Sequence, residues 1–166
     1  MPLVPFDTLP DSARVWVFGS DRPLSEEATQ TLMTEVEKYL AEWNAHGEPL
    51  TAAYEWRFGR LLVIGVDQRT AGASGCSIDG LFRVLQRLEP QLGARIVGGG
   101  RVFYRDCHGE VQSVERHELK ALRDSGAILD NSVVFDTSLT DLGSLREGFE
   151  RPARKSWAAG MLALNE

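Results

Sequence analysis

Apolar and polar positions alternate in several stretches of the first hundred residues, and these stretches predict four β-strands. Residues 13–18, with the sequence A-R-V-W-V-F, form the first strand, and residues 50–58 form the second. Residues 61–66 are apolar on both faces, which is typical of a central strand in a covered sheet. A short fourth strand is expected at residues 94–97.

Between these strands, apolar residues recur every three or four positions and predict two amphipathic helices. The first helix is expected to begin after its N-cap, Ser25, and to end at Gly47 with His46 in its last turn. The second helix is expected to have Ser77 as its N-cap and to end at Gly93. The elements therefore follow the order β-α-β-β-α-β.

That order is typical of ferredoxin-like α+β folds, in which two helices cover one face of an antiparallel sheet. We expect a ferredoxin-like domain over residues 11–98, with the three glycines at 98–100 as its boundary. Residues 101–164 are expected to form a second, small α+β domain, and its short length leaves open that the two domains share one core. Its predicted elements are a hairpin at 102–106 and 111–114, a helix at 118–123 closed by Gly126, a strand at 132–135, and a last helix around Trp157, Met161 and Leu162.

The formal net charge of −6 disfavours general binding to nucleic acid or to anionic lipid, because both need a basic surface. The first residues carry prolines and an acid where a leader peptide has basic and apolar stretches, and no apolar run is long enough for a membrane span. Two cysteines, Cys76 and Cys107, are too few for a disulfide framework, so we expect reduced thiols and a cytoplasmic protein. The sequence predicts no cofactor and leaves the oligomeric state open.

A glycine-rich segment at residues 72–80, G-A-S-G-C-S-I-D-G, leads from a predicted strand into a predicted helix. Free backbone N–H groups at a helix start can bind an anion, and they lower the pKa of a thiol placed there. The segment therefore suggests an anion-binding loop or a thiol nucleophile. The candidate anion-binding residues are Ser74, Gly75, Cys76 and Ser77, and the candidate catalytic residues are Cys76, Asp79 and His46, with His46 as the base.

The same segment also has a structural interpretation. Free cysteine is among the most buried residue types, and the glycines suit a tight turn. Asp79 lies one helical turn from Cys76, where its charge disfavours a thiolate, and Arg83 is placed to pair with Asp79.

Four residues near a predicted hairpin are of types that bind zinc, namely Asp106, Cys107, His108 and His117. Adjacent cysteine and histidine are poorly placed to chelate one ion, and a polar hairpin tip explains the same residues. The sequence therefore predicts no metal site.

Arg57 and Arg60 flank Gly59 after the alternating aromatic residues Tyr54, Trp56 and Phe58. Exposed aromatic residues beside arginine can stack nucleobases on a ferredoxin-like sheet. Because the chain is acidic, we favour a hairpin whose aromatic residues face the core and whose arginines face water.

Three stretches spread along the chain carry a resemblance: W-V-F-G-S-D-R-P-L at 16–24, A-S-G-C-S-I-D at 73–79 and V-F-D-T-S at 134–138. They resemble a bacterial family of unknown function, some members of which carry the label "ABC transporter ATPase". An ATPase of that kind needs G-x-x-x-x-G-K-[ST], yet none of the three lysines, Lys38, Lys120 and Lys155, follows a glycine. The sequence therefore predicts that the protein is not such an ATPase.

The last third contains Y-R-D-C-H-G-E-V at 104–111, E-L-K-A-L-R-D-S-G at 118–126 and V-V-F-D at 133–136. These stretches resemble GYF-like modules, in which an aromatic hairpin leads to a short helix, a glycine turn and a strand. The resemblance implies binding of proline-rich peptides on an aromatic surface. The sequence departs from the pattern because Val111-Gln112-Ser113 replaces the expected Gly-Pro and Phe149 replaces the closing tryptophan.

For each candidate catalytic residue, a purely structural role explains the sequence at least as well. The leading prediction is therefore a non-catalytic interaction protein. It would bind a protein or peptide partner through its C-terminal aromatic surface or an open sheet edge. The predicted contact residues are Tyr104, Phe149 and Trp157. The alternative is a small thiol-dependent or anion-binding enzyme centred on Cys76, so whether the protein is an enzyme stays open.

Overall fold

A computed structural model describes residues 3–45, 48–49, 51–69, 75–97 and 100–160. The predicted α+β class is confirmed, since the described residues contain four α-helices and two antiparallel four-stranded sheets. The helices are α1 Glu26–Ala41, α2 Gly75–Leu92, α3 Leu119–Asp124 and α4 Leu142–Gly148. The strands are β1 Arg14–Ser20, β2 Asn44–Ala45, β3 Glu48–Pro49, β4 Thr51–Arg57, β5 Leu61–Asp67, β6 Ile96–Val97, β7 Arg101–Arg105, β8 Val111–Glu115, β9 Val133–Phe135 and β10 Glu150–Pro152.

The first sheet has the strand order β4-β5-β1-β6, and all of its neighbours are antiparallel. Every residue of β5 is buried, which confirms the predicted central strand. Three residues, Phe58, Gly59 and Arg60, join β4 to β5, and Phe58 and Gly59 have φ values of 58° and 68°. Positive φ at both positions matches the right-handed twist of a hairpin, and the Arg60 N–H donates to the Arg57 carbonyl at 3.0 Å.

Helices α1 and α2 cover one face of this sheet. Ser25 caps α1 as predicted, since its Oγ accepts the Ala28 N–H at 3.0 Å. The shared cluster contains Ala28, Leu32, Val36 and Leu40 of α1, Leu81, Leu85, Leu88 and Leu92 of α2, and Phe18, Ala52, Leu62, Ile64 and Val66 of the sheet.

Two predicted helix ends are wrong. Helix α1 ends at Ala41, well before Gly47, because the short strands β2 and β3 pair with each other just beyond it. Helix α2 already begins at Gly75, so Ser77 lies inside the helix and is not its N-cap. The apolar stripe of α2 begins only at Ile78, so the sequence pattern marked the start of the buried face and not the start of the helix.

The opposite face of the first sheet packs against the C-terminal half of the chain. Val15 and Val17 of β1 and Leu61 and Val63 of β5 lie in this second cluster. Their partners are Leu9 from the N-terminal segment, Phe103, Val111 and Phe135 of the second sheet, Leu142 and Leu145 of α4, and Phe149. One buried cluster therefore contains residues from both sheets.

The second sheet has the order β10-β9-β7-β8. Along β7 the buried side chains alternate, because Phe103 faces the first sheet whereas Val102 and Tyr104 join a third cluster with Leu119 of α3. The predicted hairpin of β7 and β8 and the short helix are confirmed, and Gly126, with φ 82°, follows α3.

The sequence patterns missed α4 and β10, and the last helix predicted around Trp157, Met161 and Leu162 falls partly outside the described residues. Among described residues, Ala153–Lys155 form a 3-10 turn and residues 157–160 form turns, whereas Met161 and Leu162 lie outside the described residues. Both missed elements are short: α4 has seven residues, of which Leu142, Leu145 and Gly148 are buried, and β10 has three residues, none of which is fully buried. None of the described helices has the length and apolar composition needed to cross a membrane.

Candidate functional site

Part of the segment predicted to bind an anion or to supply a nucleophile lies at the start of α2. The backbone of residues 75–77 forms the first turn of this helix. His46, Ser74 and the side chains of residues 75–77 lie outside the described residues. Asp79 is exposed, and its carbonyl oxygen accepts a long hydrogen bond of 3.4 Å from Arg83 Nε. The anion-binding and thiol hypotheses therefore stay predictions.

The three aromatic residues predicted to contact a partner lie in different environments. Tyr104 is 6% exposed and packs under α3, and burial raises the pKa of its hydroxyl. Phe149 is 4% exposed and lies between the two sheets. Because both rings are buried, in separate clusters, they offer no common contact surface, which corrects that part of the prediction. Trp157 is half-buried.

Trp157 lines a surface pocket of about 220 Å³. Its indole Nε1–H donates to the Phe135 carbonyl at 3.3 Å, which fixes the ring against the second sheet. The Arg116 guanidinium lies over the ring, 5.0 Å from its centroid, in a cation–π contact. The remaining lining residues are Arg101, Asp136, Thr137 and Ser138.

Neighbouring strands hold the polar side chains of this pocket in place. Arg101, at the start of β7, donates to the Ser113 hydroxyl at 2.7 Å and to the Ser113 carbonyl at 3.2 Å. Asp136 follows β9, and its Oδ1 accepts both the Ser138 N–H at 3.0 Å and the Ser138 hydroxyl at 2.6 Å. Arg116 lies in the 3-10 turn after β8. Because the carboxylate and one arginine are engaged, the pocket walls are preorganised.

Arg116 is the most available donor of this pocket. In the described part of the chain it forms no ion pair, and its guanidinium is stacked on the Trp157 ring. A guanidinium carries five N–H donors in a planar fork that matches a carboxylate. The pocket therefore presents an aromatic ring beside the Arg116 guanidinium, whereas its second cation, Arg101, lies 3.8 Å from a carboxylate oxygen of Glu115.

The hairpin tip near the suspected zinc ligands has a hydrogen-bonded turn. The Asp106 carboxylate accepts from the His108 N–H at 2.9 Å, the Glu110 N–H at 3.0 Å and the Gln112 side chain at 2.9 Å, and these bonds lower the pKa of Asp106. Cys107 is exposed at this tip. The carboxylate is thus used to fix the loop.

A different group, Glu115, His117 and Glu118, brings its possible metal-ligand atoms within 4.8 Å of one another, and all three residues are exposed. Glu115 and Glu118 form the capping box of the 3-10 turn, and His117 Nδ1 lies 3.2 Å from a Glu115 oxygen. Helix capping accounts for these carboxylates without an ion.

The structure separates the two arginines that flank Gly59. Arg60 is 4% exposed, so the expectation that it faces water is wrong. Its guanidinium donates to the carbonyls of Ser20 at 3.2 Å, Asp21 at 3.1 Å and Val111 at 2.9 Å, and so joins the first sheet to β8. Burial lowers the pKa of Arg60, and the nearby charge of Arg101 acts in the same direction.

Arg57 remains half-buried and is already engaged. Its guanidinium lies 5.7 Å from the Phe6 ring centroid and 5.5 Å from that of Phe149, and its Nε donates to Glu55 at 2.8 Å. Phe58 is 46% exposed, with Arg105 stacked 4.4 Å from its ring centroid. This hairpin tip therefore uses its cations and aromatic rings on each other and not as an open stacking platform.

Sequence reasoning found Trp157 and missed the residues around it. The stretch V-F-D-T-S at 134–138 supplies Asp136, Thr137 and Ser138 of the pocket. Arg101 and Arg116 carried no sequence signal, because they meet Trp157 only through strand pairing in the second sheet. Comparisons with protein-family models, with curated proteins and with solved structures found no match.

Proposed function

We propose that the protein is a non-catalytic interaction protein that binds an extended segment of a partner protein in the Trp157 pocket. The observation that carries this proposal is the half-buried Trp157 ring, held by the Phe135 carbonyl and covered on one side by Arg116. A fixed aromatic ring beside a cation provides contact area with little loss of conformational freedom on binding.

The charges around the ring favour an acidic segment. Among the described residues Arg116 has no ion pair, whereas Arg101 is paired with Glu115 at 3.8 Å and the Asp136 carboxylate in the pocket has Oδ1 bonded twice to Ser138. The protein as a whole has a net charge of −6. An acidic partner would therefore be repelled by most of the surface and attracted only to a local basic site. A segment with proline next to aspartate or glutamate would stack on the ring and pair with Arg116.

Fold-level resemblance adds support of a weaker kind. The antiparallel order β4-β5-β1-β6, with α1 and α2 on one face, is the arrangement that we propose to be ferredoxin-like. The sequence of hairpin, short helix, Gly126 and β9 supports a GYF-like relationship for the C-terminal half. We also propose a cytoplasmic location, because Cys107 is a free, exposed thiol that fits a reducing compartment.

Three edges of the two four-stranded sheets, formed by β10, β6 and β8, support partner binding less well than the pocket. Strand β10 has three residues and ends in Pro152, and β6 has two residues. On β8, the carbonyls of Val111 and Ser113 already accept from Arg60 and Arg101. We therefore assign the contact to the pocket.

An array of ten-residue peptides tests the proposal, with the full chain as the soluble probe. The peptides combine two prolines with two aspartates, two asparagines or two lysines. We expect binding to the aspartate set, and we expect Trp157→Ala and Arg116→Gln each to weaken that binding about tenfold or more.

Arg22→Gln is the matched control, because Arg22 is exposed in the first half of the chain and its loss changes the net charge by the same amount as Arg116→Gln. Equal binding by Arg116→Gln and Arg22→Gln would remove the assigned role of Arg116. Binding that is unchanged in Trp157→Ala, or absent from all three peptide sets, would overturn the proposal.

The thiol enzyme is the second candidate, and one observation favours it. Helix α2 begins at Gly75, so Cys76 lies in the first turn, where the helix dipole stabilises a thiolate. Alkylation by iodoacetamide as a function of pH, with the exposed Cys107 as internal reference, tests it. Labelling of Cys76 with a midpoint well below about 8.5 would favour the enzyme, and labelling only after unfolding would exclude it.

A further inference from the structure

The outer face of the helix pair carries a groove that the Trp157 pocket does not involve. Two adjoining pockets of about 440 and 680 Å³ form this groove, and both are lined by Tyr39, Val84 and Arg87. Tyr39 comes from α1, and Val84 and Arg87 come from α2, so the groove follows the contact line of the two helices.

The floor of the groove is partly apolar. Tyr39 and Val84 are half-buried there, and Leu88 is 7% exposed. The Tyr39 hydroxyl lies against Gly80, where a Cβ atom would overlap it. A glycine at this point therefore makes room for the Tyr39 ring, which forms part of the floor.

The two rims of the groove carry opposite charges. On α1 and the residue after it, Glu35 and Glu42 face the groove together with Lys38, whereas α2 contributes Arg83 and Arg87. Arg83, Arg87 and Glu35 form no ion pair within the described part of the chain. These charges are therefore available to a molecule that lies on the groove.

A surface with one acidic and one basic rim is complementary to itself in one two-fold arrangement. If the symmetry axis runs along the groove, α1 of each copy faces α2 of the other, and Glu35 meets arginine. If the axis runs across the groove, α1 faces α1 and α2 faces α2, so the two α2 rims with Arg83 and Arg87 oppose each other. The charge pattern thus selects the first arrangement.

We propose that a second copy of this chain occupies the groove, with the two-fold axis parallel to the helices. The contact is a four-helix layer in which Tyr39 and Val84 of each copy pack against each other and the acidic rim of one copy meets the basic rim of the other. This inference does not depend on the proposed function, since Trp157 lies on the other half of the chain.

The size of the helix face predicts weak association. Helices of 16 and 18 residues are about 24 and 27 Å long, so the shared face is at the low end for a stable dimer. We therefore expect a dimer that forms over a micromolar to submillimolar range of protein concentration. Sedimentation velocity of the full chain over that range measures it.

Two charge-reversed variants provide the decisive experiment. Arg83→Glu/Arg87→Glu makes both rims acidic, and Glu35→Lys/Glu42→Lys makes both rims basic. Each variant alone is expected to lose dimer affinity at least about tenfold, because like rims then face each other. An equimolar mixture of the two variants is expected to restore dimers, because every acidic rim again meets a basic one.

The matched control is Arg22→Glu/Lys120→Glu, which changes the net charge as much as Arg83→Glu/Arg87→Glu at exposed residues away from the groove. Its dimer should be retained, and circular dichroism should show that every variant is folded. A wild-type chain that is monomeric at all concentrations, variants that dimerise as wild type does, or a mixture that stays monomeric would each overturn the proposal.

Discussion

The two faces of the first sheet are covered in different ways. On one face, Leu62 and Ile64 of β5 lie under α1 and α2, which alternate with the sheet strands along the chain. On the other face, Leu61 and Val63 lie against the N-terminal segment, the second sheet and α4, which are far apart in sequence. Strand β5 is therefore covered by two long helices on one side and by several short elements on the other.

This difference predicts how the two covers tolerate change. The helices contact the sheet through many equivalent apolar side chains, so each substitution there should lower the free energy of unfolding by only part of the total. The other cover depends on single close fits, in which Arg60 links three carbonyls and Gly19 makes room for the Phe103 ring. We expect substitutions at these two positions to cause larger losses than local exposure or sequence pattern would suggest.

Arg60→Met should produce the largest effect. Methionine fills much of the space but leaves the carbonyls of Ser20, Asp21 and Val111 without this donor, and the free energy of unfolding should fall by about 3 kcal/mol or more. Urea unfolding measures the loss, and Arg22→Met, at an exposed arginine, should change stability by less than about 0.5 kcal/mol. Equal stability of the two variants would refute the role given to Arg60.

Gly19→Ala should follow, with a loss of about 2 kcal/mol from overpacking. A Cβ at Gly19 would overlap the ring of Phe103, which is 2% exposed and cannot move away. At Gly65 the nearest atom is the flexible Leu9 Cδ1 at 2.5 Å, so Gly65→Ala should cost less. The double variant Gly19→Ala/Phe103→Leu should recover part of the loss, and a strictly additive result would contradict this packing argument.

Ser25→Ala should cost about 1 kcal/mol, because it leaves the Ala28 N–H at the start of α1 without its side-chain acceptor. Ser25→Asp retains an acceptor and should remain close to wild type. Thermal unfolding followed by circular dichroism compares them. If the aspartate variant were as destabilised as the alanine variant, the effect would not arise from the cap.

The turn at Phe58 should reveal a smaller difference. Phe58→Gly and Phe58→Ala both lose the contacts with Arg105 and Phe135, but only alanine keeps a Cβ at a φ of 58°. Relief of strain of about 1 kcal/mol, offset by the greater freedom of glycine in the unfolded chain, should leave the glycine variant more stable by about 0.5 kcal/mol. Urea unfolding in which alanine is the more stable would contradict the strain.

The helix-covered face could be predicted from sequence, and the opposite cover could not. Helical spacing is visible in α1, where Leu32, Val36 and Leu40 recur every four residues and are fully buried. By contrast, α4 has seven residues and contributes only Leu142 and Leu145, a pattern too short to stand out. Arg60 was expected in water because a charged residue after a turn usually lies there, and its burial is explained by three carbonyls distant in sequence, those of Ser20, Asp21 and Val111.

The candidate site shows the same limit. Trp157 stood out because of its residue type, but Tyr104 and Phe149 were equally prominent and proved to be buried. Whether an aromatic residue lies at the surface depends on which sheet face it joins, and that depends on pairing between strands distant in sequence. The arginines of the pocket depend on the same pairing, so the pocket could be found only from the structure.

The smallest expected effect is a difference in how the stability of the two faces of the first sheet depends on pH. Asp141 caps α4, and its hydrogen bonds from the Ser144 N–H at 2.8 Å and the Ser144 hydroxyl at 2.9 Å lower the pKa of the carboxyl. Because the folded-state pKa lies below the unfolded value of about 3.9, the stabilisation is present above that pH and is lost as the pH falls through the folded-state value.

Asp141→Asn retains an oxygen acceptor but cannot titrate, so its melting temperature should fall less steeply than that of wild type as the pH decreases from about 5 to 3. Ser25→Ala should shift the melting temperature by a similar amount at every pH in that range, because the serine hydroxyl does not ionise. If the melting temperatures of wild type and Asp141→Asn fell equally steeply as the pH decreased, the α4 cap would not contribute to acid sensitivity. A shallower fall of the melting temperature in Asp141→Asn would assign part of the acid sensitivity to the face of the first sheet that is covered by α4 and the second sheet.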